Sequence, residues 1–328
     1  MTTRRHILSA GAAALAGTLL PTAGSAQTLQ RNARLIVGFP PGGSTDIVAR
    51  LLAERLRGNY APQIIVENRP GAGGRVAADV TKAAEPDGTT MLLTPASILA
   101  LYPHVYRRLG YDAFADFAPV TKLCSFPFGF TVGPAVPATV RNLADFVQWA
   151  RAQGKPIAYG SPGAGSMPHF TGFTIGRALG FPVTHVPYKG GAPAIQDLLG
   201  GQIPASVNVI AEPLPHYQAG KLRILAQTGA QRSSFVPDVP TFAESGYRDI
   251  VAREWFGMFV PARTPAPTIT ALNAALREAI RSKEVGEGYG RFAFDPEGDS
   301  PADFGRDLRA MYDQWGPIIK ASGFTSDD

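Results

Sequence analysis

The sequence predicts an α/β protein whose two lobes face each other across a ligand cleft. Strand and helix patterns alternate along most of the chain after an apolar leader. Glycine-rich loops stand where predicted strands lead into helices, and they do so in two separate parts of the chain. A long β-rich segment, 120–132, is interrupted by Pro127 and suits a strand that crosses between lobes. These observations predict parallel sheets covered by helices on both faces.

Residues 1–26 have the pattern of an export signal. Arg4 and Arg5 precede a short apolar run, and the small residues Gly24 and Ala26 follow it. The run is too short to span a bilayer, which takes roughly 20 residues. We therefore expect cleavage near Ala26 and a periplasmic protein. The paired arginines leave two routes open, the general secretory route and the twin-arginine route.

Strands and helices are predicted in order through the first module. The segment 46–58 has apolar residues at helical spacing and an aspartate, Asp46, at its start. A second helical pattern begins at Arg75. The three strand patterns between which these helices lie are 34–39, 63–68 and 89–94. This β-α-β-α-β order is typical of a parallel sheet.

The second module repeats the alternation of strands and helices, and the chain then returns to the first lobe. Its predicted elements are a helix at 142–154, strands at 156–161 and 182–188, and a strand at 222–229. An apolar strand within 254–262 and two amphipathic helices complete the chain. We predict lobe 1 over 27–123 and 229–328, and lobe 2 over 124–228.

Composition restricts the possible partners. Hydrophobic residues make up 45% and charged residues 17% of the 328, which is typical of a globular protein. The net charge of +5 comes without any block of Lys and Arg, so we expect no nucleic acid partner. Cys124 is the single cysteine, so no disulfide can form within the chain. We also expect a monomer.

The loop "GFPPGGSTD", residues 38–46, suits an anion but matches no nucleotide motif. It lacks the lysine of a P-loop and the glycine spacing of a dinucleotide fingerprint. Glycines let backbone N–H groups approach a ligand, and the following helix N-terminus favours negative charge. Several such loops at strand C-termini predict a binding site there.

Catalytic motifs are sparse. The histidines show no metal-binding pattern, and no G-x-S-x-G elbow occurs. Ser166 and His169, spaced i and i+3, remain an alternative as a hydrolytic pair. We predict no catalytic residue, metal or cofactor.

Five motifs in order resemble the Bug family, the extracytoplasmic solute receptors of tripartite tricarboxylate transporters. They are "GFPPGGSTDIVARLLAERL", "VENRPGAGGRVAADVTKAAEPDGTTMLL", "YGSPGAGSMPHF", "VPYKGGAPAIQDLLGGQI" and "DVPTFAESGY". The resemblance implies a type II periplasmic-binding-protein fold. It also implies small organic acids as ligands, held mainly by backbone N–H groups, and membrane transporter subunits as partners.

The resemblance implies a set of ligand-binding residues. In lobe 1 they are Phe39, Gly42, Gly43, Ser44 and Asp46, with Thr94, Ala96 and Ser97 after the third strand. In lobe 2 they are Ser161, Gly163, Gly165, Ser166, Tyr188, Lys189 and Gly190. We expect Asp46 to order its loop rather than to meet an anion, because like charges repel.

The function that this resemblance implies is capture of a small carboxylate for a transporter. A ligand sensor that feeds a signalling protein is an alternative with the same fold. The segment "IPASVNVI", 203–210, offers no carboxylate to pair with an amine. We therefore expect an acid without an amino group.

Overall fold

The computed structural model describes residues 29–326 of the chain. The predicted export signal and its cleavage near Ala26 lie outside the described residues. Within this range the chain forms ten β-strands, ten α-helices and two short helical turns of other types.

The strands and helices alternate in both modules. In chain order the strands are β1 (Ala33–Val37), β2 (Ile64–Asn68), β3 (Thr90–Pro95), β4 (Phe117–Val132), β5 (Ile157–Ser161), β6 (Val183–Pro187), β7 (Ala205–Val209), β8 (Arg223–Gln227), β9 (Arg253–Pro261) and β10 (Asp295–Pro296). The helices are α1 (Ser44–Leu56), α2 (Arg75–Lys82), α3 (Tyr102–Val105), α4 (Leu143–Ala152), α5 (Met167–Leu179), α6 (Gly191–Leu199), α7 (Leu214–Gln218), α8 (Ala266–Arg281), α9 (Lys283–Arg291) and α10 (Pro301–Ser322). A 3-10 turn covers Ala72–Gly74, and a π-helical turn covers Ser97–Leu101.

The strands run in the order β2-β1-β3-β9-β4-β7-β5-β6, with β8 and β10 also pairing with β4. β1 lies parallel to β2 and β3, and β5 lies parallel to β6 and β7, as the alternating pattern predicts. β9 joins the first group by pairing antiparallel with β3 and β4. The fold is therefore the two-lobed α/β arrangement that the sequence predicts.

β4 is a single strand of 16 residues that belongs to both halves of the molecule. Its first part, Phe117–Pro127, pairs with β9, and its last five residues, Phe128–Val132, pair with β7 and β8. Pro127 interrupts the apolar pattern without ending the strand. Phe126 lies near this change of partners and packs against Phe256, with ring centroids 4.6 Å apart.

Helix α1 shows why the spacing of apolar residues predicts this helix. Its buried face includes Val48, Leu52 and Leu56, four residues apart, so one stripe of the helix faces the sheet. The helix follows β1 after a loop of only six residues, 38–43. That short loop places the N-terminus of α1 at the carboxyl edge of the sheet, where ligands bind in open α/β folds.

Residues 29–326 contain no helix with the length and apolar character needed to cross a membrane. Over the same range no three His, Cys, Asp or Glu side chains are grouped so that they could hold a metal ion.

Candidate functional site

A cleft opens between the loops that follow β1, β3, β5 and β6. The space between its walls, including the part open to solvent, is about 720 Å³. Most of the wall is apolar or proline-rich, and its apolar residues are Phe39, Pro40, Pro41, Pro95, Ile98, Tyr102, Pro162, Pro168, Ala192, Pro193, Val209 and Phe256.

Eight of the fifteen predicted site residues line this cleft. They are Phe39, Gly43, Ser44, Ser97, Gly163, Ser166, Lys189 and Gly190. The other seven support the loops from behind or lie beside them: Gly42, Asp46, Thr94, Ala96, Ser161, Gly165 and Tyr188. Tyr188, for example, donates its hydroxyl hydrogen bond to Asp197, at 2.8 Å. Ser161 is fully buried and its hydroxyl lies 2.7 Å from Nε2 of His185.

Asp46 orders the loop between β1 and α1. Its Oδ2 accepts hydrogen bonds from the backbone N–H of Gly42 and from Arg50, both at 2.9 Å, and its Oδ1 accepts one from Asn68. Gly42 has φ of +84°, which favours glycine at this turn. Burial opposes ionisation of Asp46, but these hydrogen bonds outweigh it and hold the pKa of the carboxyl below its usual range. The Asp46 side chain therefore stabilises the conformation of this loop in the structure.

Glu212 is a cleft residue that sequence analysis missed. The hydroxyl of Ser44, at the start of α1, donates to its Oε1 at 3.1 Å. The carboxylate also lies beside the N-terminus of α6, because a Cβ added to Gly191 would stand only 1.5 Å from Oε2. Among the described residues no hydrogen-bond donor reaches the buried Oε2. Burial raises the pKa of Glu212 to about 7, against the lowering effect of Ser44.

Glu254 is a second carboxylate in the cleft that sequence analysis missed. It lies on β9, is 4% exposed, and its Oε1 accepts hydrogen bonds from both the backbone N–H and the hydroxyl of Ser97. Burial raises its pKa to about 7, although the Ser97 hydrogen bonds oppose this. The Ser97 hydroxyl also accepts a hydrogen bond from the N–H of Met167 in the first turn of α5, at 2.9 Å.

From the sequence we expected a ligand without an amino group, because no carboxylate was predicted to pair with one. Glu212 and Glu254 supply two such carboxylates. That expectation rested on residues 203–210, which do lack a carboxylate. Glu212 follows two residues later, in the turn after β7, and Glu254 comes from a distant strand. The basis for that expectation was incomplete, because the cleft wall is assembled from segments that are far apart in sequence.

Positive charge in the cleft is limited. Lys189, in the loop after β6, is the one Lys or Arg that lines it within residues 29–326. Its side chain is exposed, and no ion pair involves it in that range. The cleft therefore carries two carboxylates and one ammonium group.

Ser166 and His169 do not form a hydrogen-bonded pair. The Ser166 hydroxyl donates to the carbonyl oxygen of Gly163 at 2.7 Å, while Nδ1 of His169 accepts from the N–H of Gly165 at 3.1 Å. The His169 ring stacks on His185, with centroids 3.8 Å apart, behind the cleft lining. Burial lowers the pKa of His169 to about 4, which is far from the range of a general base at neutral pH.

Comparison with known sequences identifies a family. Residues 48–324 match the family described as "Tripartite tricarboxylate transporter family receptor". The chain is 32% identical to protein BugT of Bordetella pertussis over 317 residues, which cover 94% of this chain and 97% of BugT.

Two solved structures have the same fold along nearly their whole length. The periplasmic binding protein BugD superposes with a TM-score of 0.83 at 28% identity, covering 90% of this chain and 99% of BugD. Rpa4515 of R. palustris, solved with adipate, superposes with a TM-score of 0.85 at 32% identity, covering 90% of this chain and 98% of Rpa4515.

Proposed function

The chain belongs to the tripartite tricarboxylate transporter family of receptors, and we propose that it captures a small organic acid in the cleft between its lobes. The observation that carries this proposal is the position of the cleft. It lies where glycine-rich loops lead from strand ends into α1, α5 and α6. Adipate in the structure of Rpa4515 supports a carboxylate as ligand.

We further propose that the protein binds its ligand without converting it. The hydrogen bonds of Ser166 and His169 run to backbone groups and not to each other. A nucleophile needs a neighbouring base within hydrogen-bond reach. Ser161 and His185 are that close, but neither lines the cleft, Ser161 is fully buried, and burial lowers the pKa of His185 to about 3. Turnover of an ester substrate that disappears in Ser166→Ala would overturn this part of the proposal.

The family supports a proposal for the place of action and the partners. We propose that the protein is exported to the periplasm, is cleaved near Ala26, works as a monomer and delivers its ligand to membrane transporter subunits. The match to a family of transporter receptors supports this role. The relationship to periplasmic binding proteins such as BugD supports the compartment.

We propose that lobe 1 comprises 27–123 and 229–328, that lobe 2 comprises 124–228, and that the lobes close on the ligand. The change of β4 partners between Pro127 and Phe128 supports a crossing near the predicted boundary. The fifteen residues predicted from the motifs form the proposed site together with Glu212 and Glu254. Those behind the lining, such as Asp46, are proposed to hold the loops in shape.

Native mass spectrometry of freshly purified protein, followed by calorimetry, tests the function. A retained small acid, and micromolar or tighter binding of that acid to ligand-free protein, are the expected results. Small-angle scattering should then show a smaller radius of gyration at saturating ligand. Failure of every carboxylic acid tested to bind, with the protein shown to be folded, would overturn the proposal.

A further inference from the structure

We propose that the ligand is an acid that also carries an ammonium group on an apolar body, and that Glu212 and Glu254 receive this ammonium. This inference rests on the proposed function and names the chemical class for the same cleft. It is argued from the donors and acceptors that the described residues present there.

The first step concerns the anion position at α1. The chain's own Glu212 carboxylate occupies it, since Oε1 accepts from Ser44 and Oε2 lies against the start of α6. A ligand carboxylate at this position would have to displace Glu212 or lie beside a like charge. Gly191 leaves the room that the Glu212 carboxylate fills, because any larger residue there would overlap Oε2.

The second step concerns unused hydrogen-bonding capacity. Oε2 of Glu212 is a buried acceptor that no donor within residues 29–326 reaches. A buried acceptor without a donor costs free energy, and a ligand that brings an N–H recovers it. An ammonium group has three donors and no acceptor, whereas a ligand carboxylate has only acceptors.

The third step concerns the serines. A hydroxyl has one hydrogen to donate. Ser44 donates its hydrogen to Glu212, and Ser97 donates its hydrogen to Glu254. Neither hydroxyl remains available as a donor to a ligand carboxylate in this arrangement. Ser44 and Ser97 therefore hold carboxyl groups at the cleft and offer no hydroxyl donor to a ligand.

The fourth step is the balance of charge and the shape of the wall. Two carboxyl groups face one ammonium group, that of Lys189, so a dianionic ligand would meet both carboxyls and have a single cation to balance it, whereas a ligand ammonium would favour their ionised forms. A zwitterion places its ammonium near the glutamates and its carboxylate toward Lys189. The rings of Phe39, Tyr102 and Phe256 line the same cleft and suit an apolar ligand body.

Four probes that share a six-carbon chain test the inference by calorimetry. They are adipate, 6-aminohexanoate, norleucine and hexanoate, which differ only in their charged groups. We expect the better of the two ammonium-bearing probes to bind at least tenfold more tightly than adipate and hexanoate. Glu212→Gln should reduce that advantage to less than threefold, and Glu254→Gln should reduce it in the same direction. Glu54→Gln, an exposed change on α1, is the control and should leave it intact.

The outcomes separate this inference from the proposed function. Tighter binding of adipate than of both ammonium-bearing probes would overturn the inference while supporting the organic-acid receptor. Tighter adipate binding by Glu212→Gln would also overturn it, because Glu212 would then be a plug that the ligand displaces. If none of the four probes nor any other acid binds, the proposed function fails and the inference falls with it.

A second measurement uses the parent protein alone. Its result therefore stays valid even if the variants fail to fold. Calorimetry at pH 7 in two buffers of different ionisation enthalpy counts protons exchanged on binding. An ammonium held by Glu212 and Glu254 should release protons, since it favours their ionised forms. The other titratable residues that line this cleft or the cavity behind Glu212 are Tyr102, Lys189 and His216. Proton uptake on binding the ammonium-bearing probes would overturn the inference.

Discussion

The hydroxyl of Ser97 joins the two lobes, because it accepts a hydrogen bond from the backbone N–H of Met167 at 2.9 Å while it donates to Glu254. Ser97 begins the helical turn after β3, and Met167 begins α5 in the second lobe. One side chain thus connects the helical turn after β3 with α5 and holds a cleft carboxyl group.

Ser97→Ala is expected to loosen closure and to destabilise the protein. The change leaves the N–H of Met167 without its acceptor and removes one donor to Glu254, at a cost of about 1–3 kcal/mol. Denaturant unfolding and small-angle scattering without ligand measure the two effects. Thr174→Ala, which removes a hydroxyl bonded only to a carbonyl within α5, is the matched control. An unchanged radius of gyration together with unchanged stability would contradict the prediction.

Gly43→Val is expected to abolish ligand binding while the fold survives. Gly43 has φ of −79°, and a Cβ there would meet its nearest atom at 3.7 Å, so the backbone accepts a side chain. The valine methyl groups would enter the cleft that Gly43 lines. Ligand at ~100-fold over its Kd should stabilise the parent by about 2.7 kcal/mol, and the variant should lack that gain. A parent-like thermal shift in the variant would place the ligand elsewhere.

The stability of the ligand-free protein is expected to fall as pH rises from about 5 to about 8. The pKa of Glu212 and Glu254 is raised to about 7, so the folded state holds protons that the unfolded state has already released. Each glutamate contributes stability that is complete below its unfolded pKa of about 4.3 and is lost as pH passes the folded pKa. Glu254→Gln should flatten the profile by on the order of 1–3 kcal/mol. A profile identical to the parent's would show that Glu254 does not hold a proton.

Asp46→Asn is expected to destabilise the loop between β1 and α1 by about 1–3 kcal/mol near neutral pH. The lowered pKa of Asp46 gives the opposite pH dependence from that of the glutamates. Its contribution is present above the unfolded pKa of about 3.9 and is lost as pH falls through the folded value. Unfolding curves at pH 7 and pH 3 should therefore differ less in the variant. Asp313→Asn, at an exposed position on α10, controls for net charge.

Export is expected to yield a mature chain that starts at or near Gln27. Mass measurement of protein from the periplasm tests this cleavage. Replacement of Arg4 and Arg5 by lysine should stop export if the twin-arginine route is used. Unchanged export would assign the general secretory route, and a full-length chain confined to the cytoplasm would contradict the predicted signal.

Sequence patterns were sufficient to predict the bounds of a helix or strand where that element buries one regular face. Helix α1 and the strands beside it were predicted within two residues of their bounds at most ends, because apolar spacing records which face is buried. Helix α9 was missed because its sequence, KEVGEGYGR, contains three glycines, and its start depends on Ser282 accepting from Val285. The helical turn Ser97–Leu101 is buried on all sides and so shows no periodicity.

The loops of the site were predictable, whereas its charges were not. Glycine, proline and aspartate mark a turn locally, as Gly42 and Asp46 do through a hydrogen bond four residues apart. Glu212 and Ser44 are 168 positions apart, and Glu254 and Ser97 are 157 apart. No local sequence pattern predicts a contact between residues so far apart. The two carboxylates of the cleft could therefore be identified only from the structure.

The late position of β9 in the chain has a consequence for biosynthesis. β9 fills the gap between β3 and β4, where Leu92 pairs with Phe259 and Ala118 with Val260. During translation the edges of β3 and β4 therefore stay unpaired until the last quarter of the chain has emerged. Contacts so distant in sequence slow folding, and open strand edges invite aggregation. A truncated chain that ends before β9 would leave both edges open, and we expect it to aggregate rather than to form half a receptor.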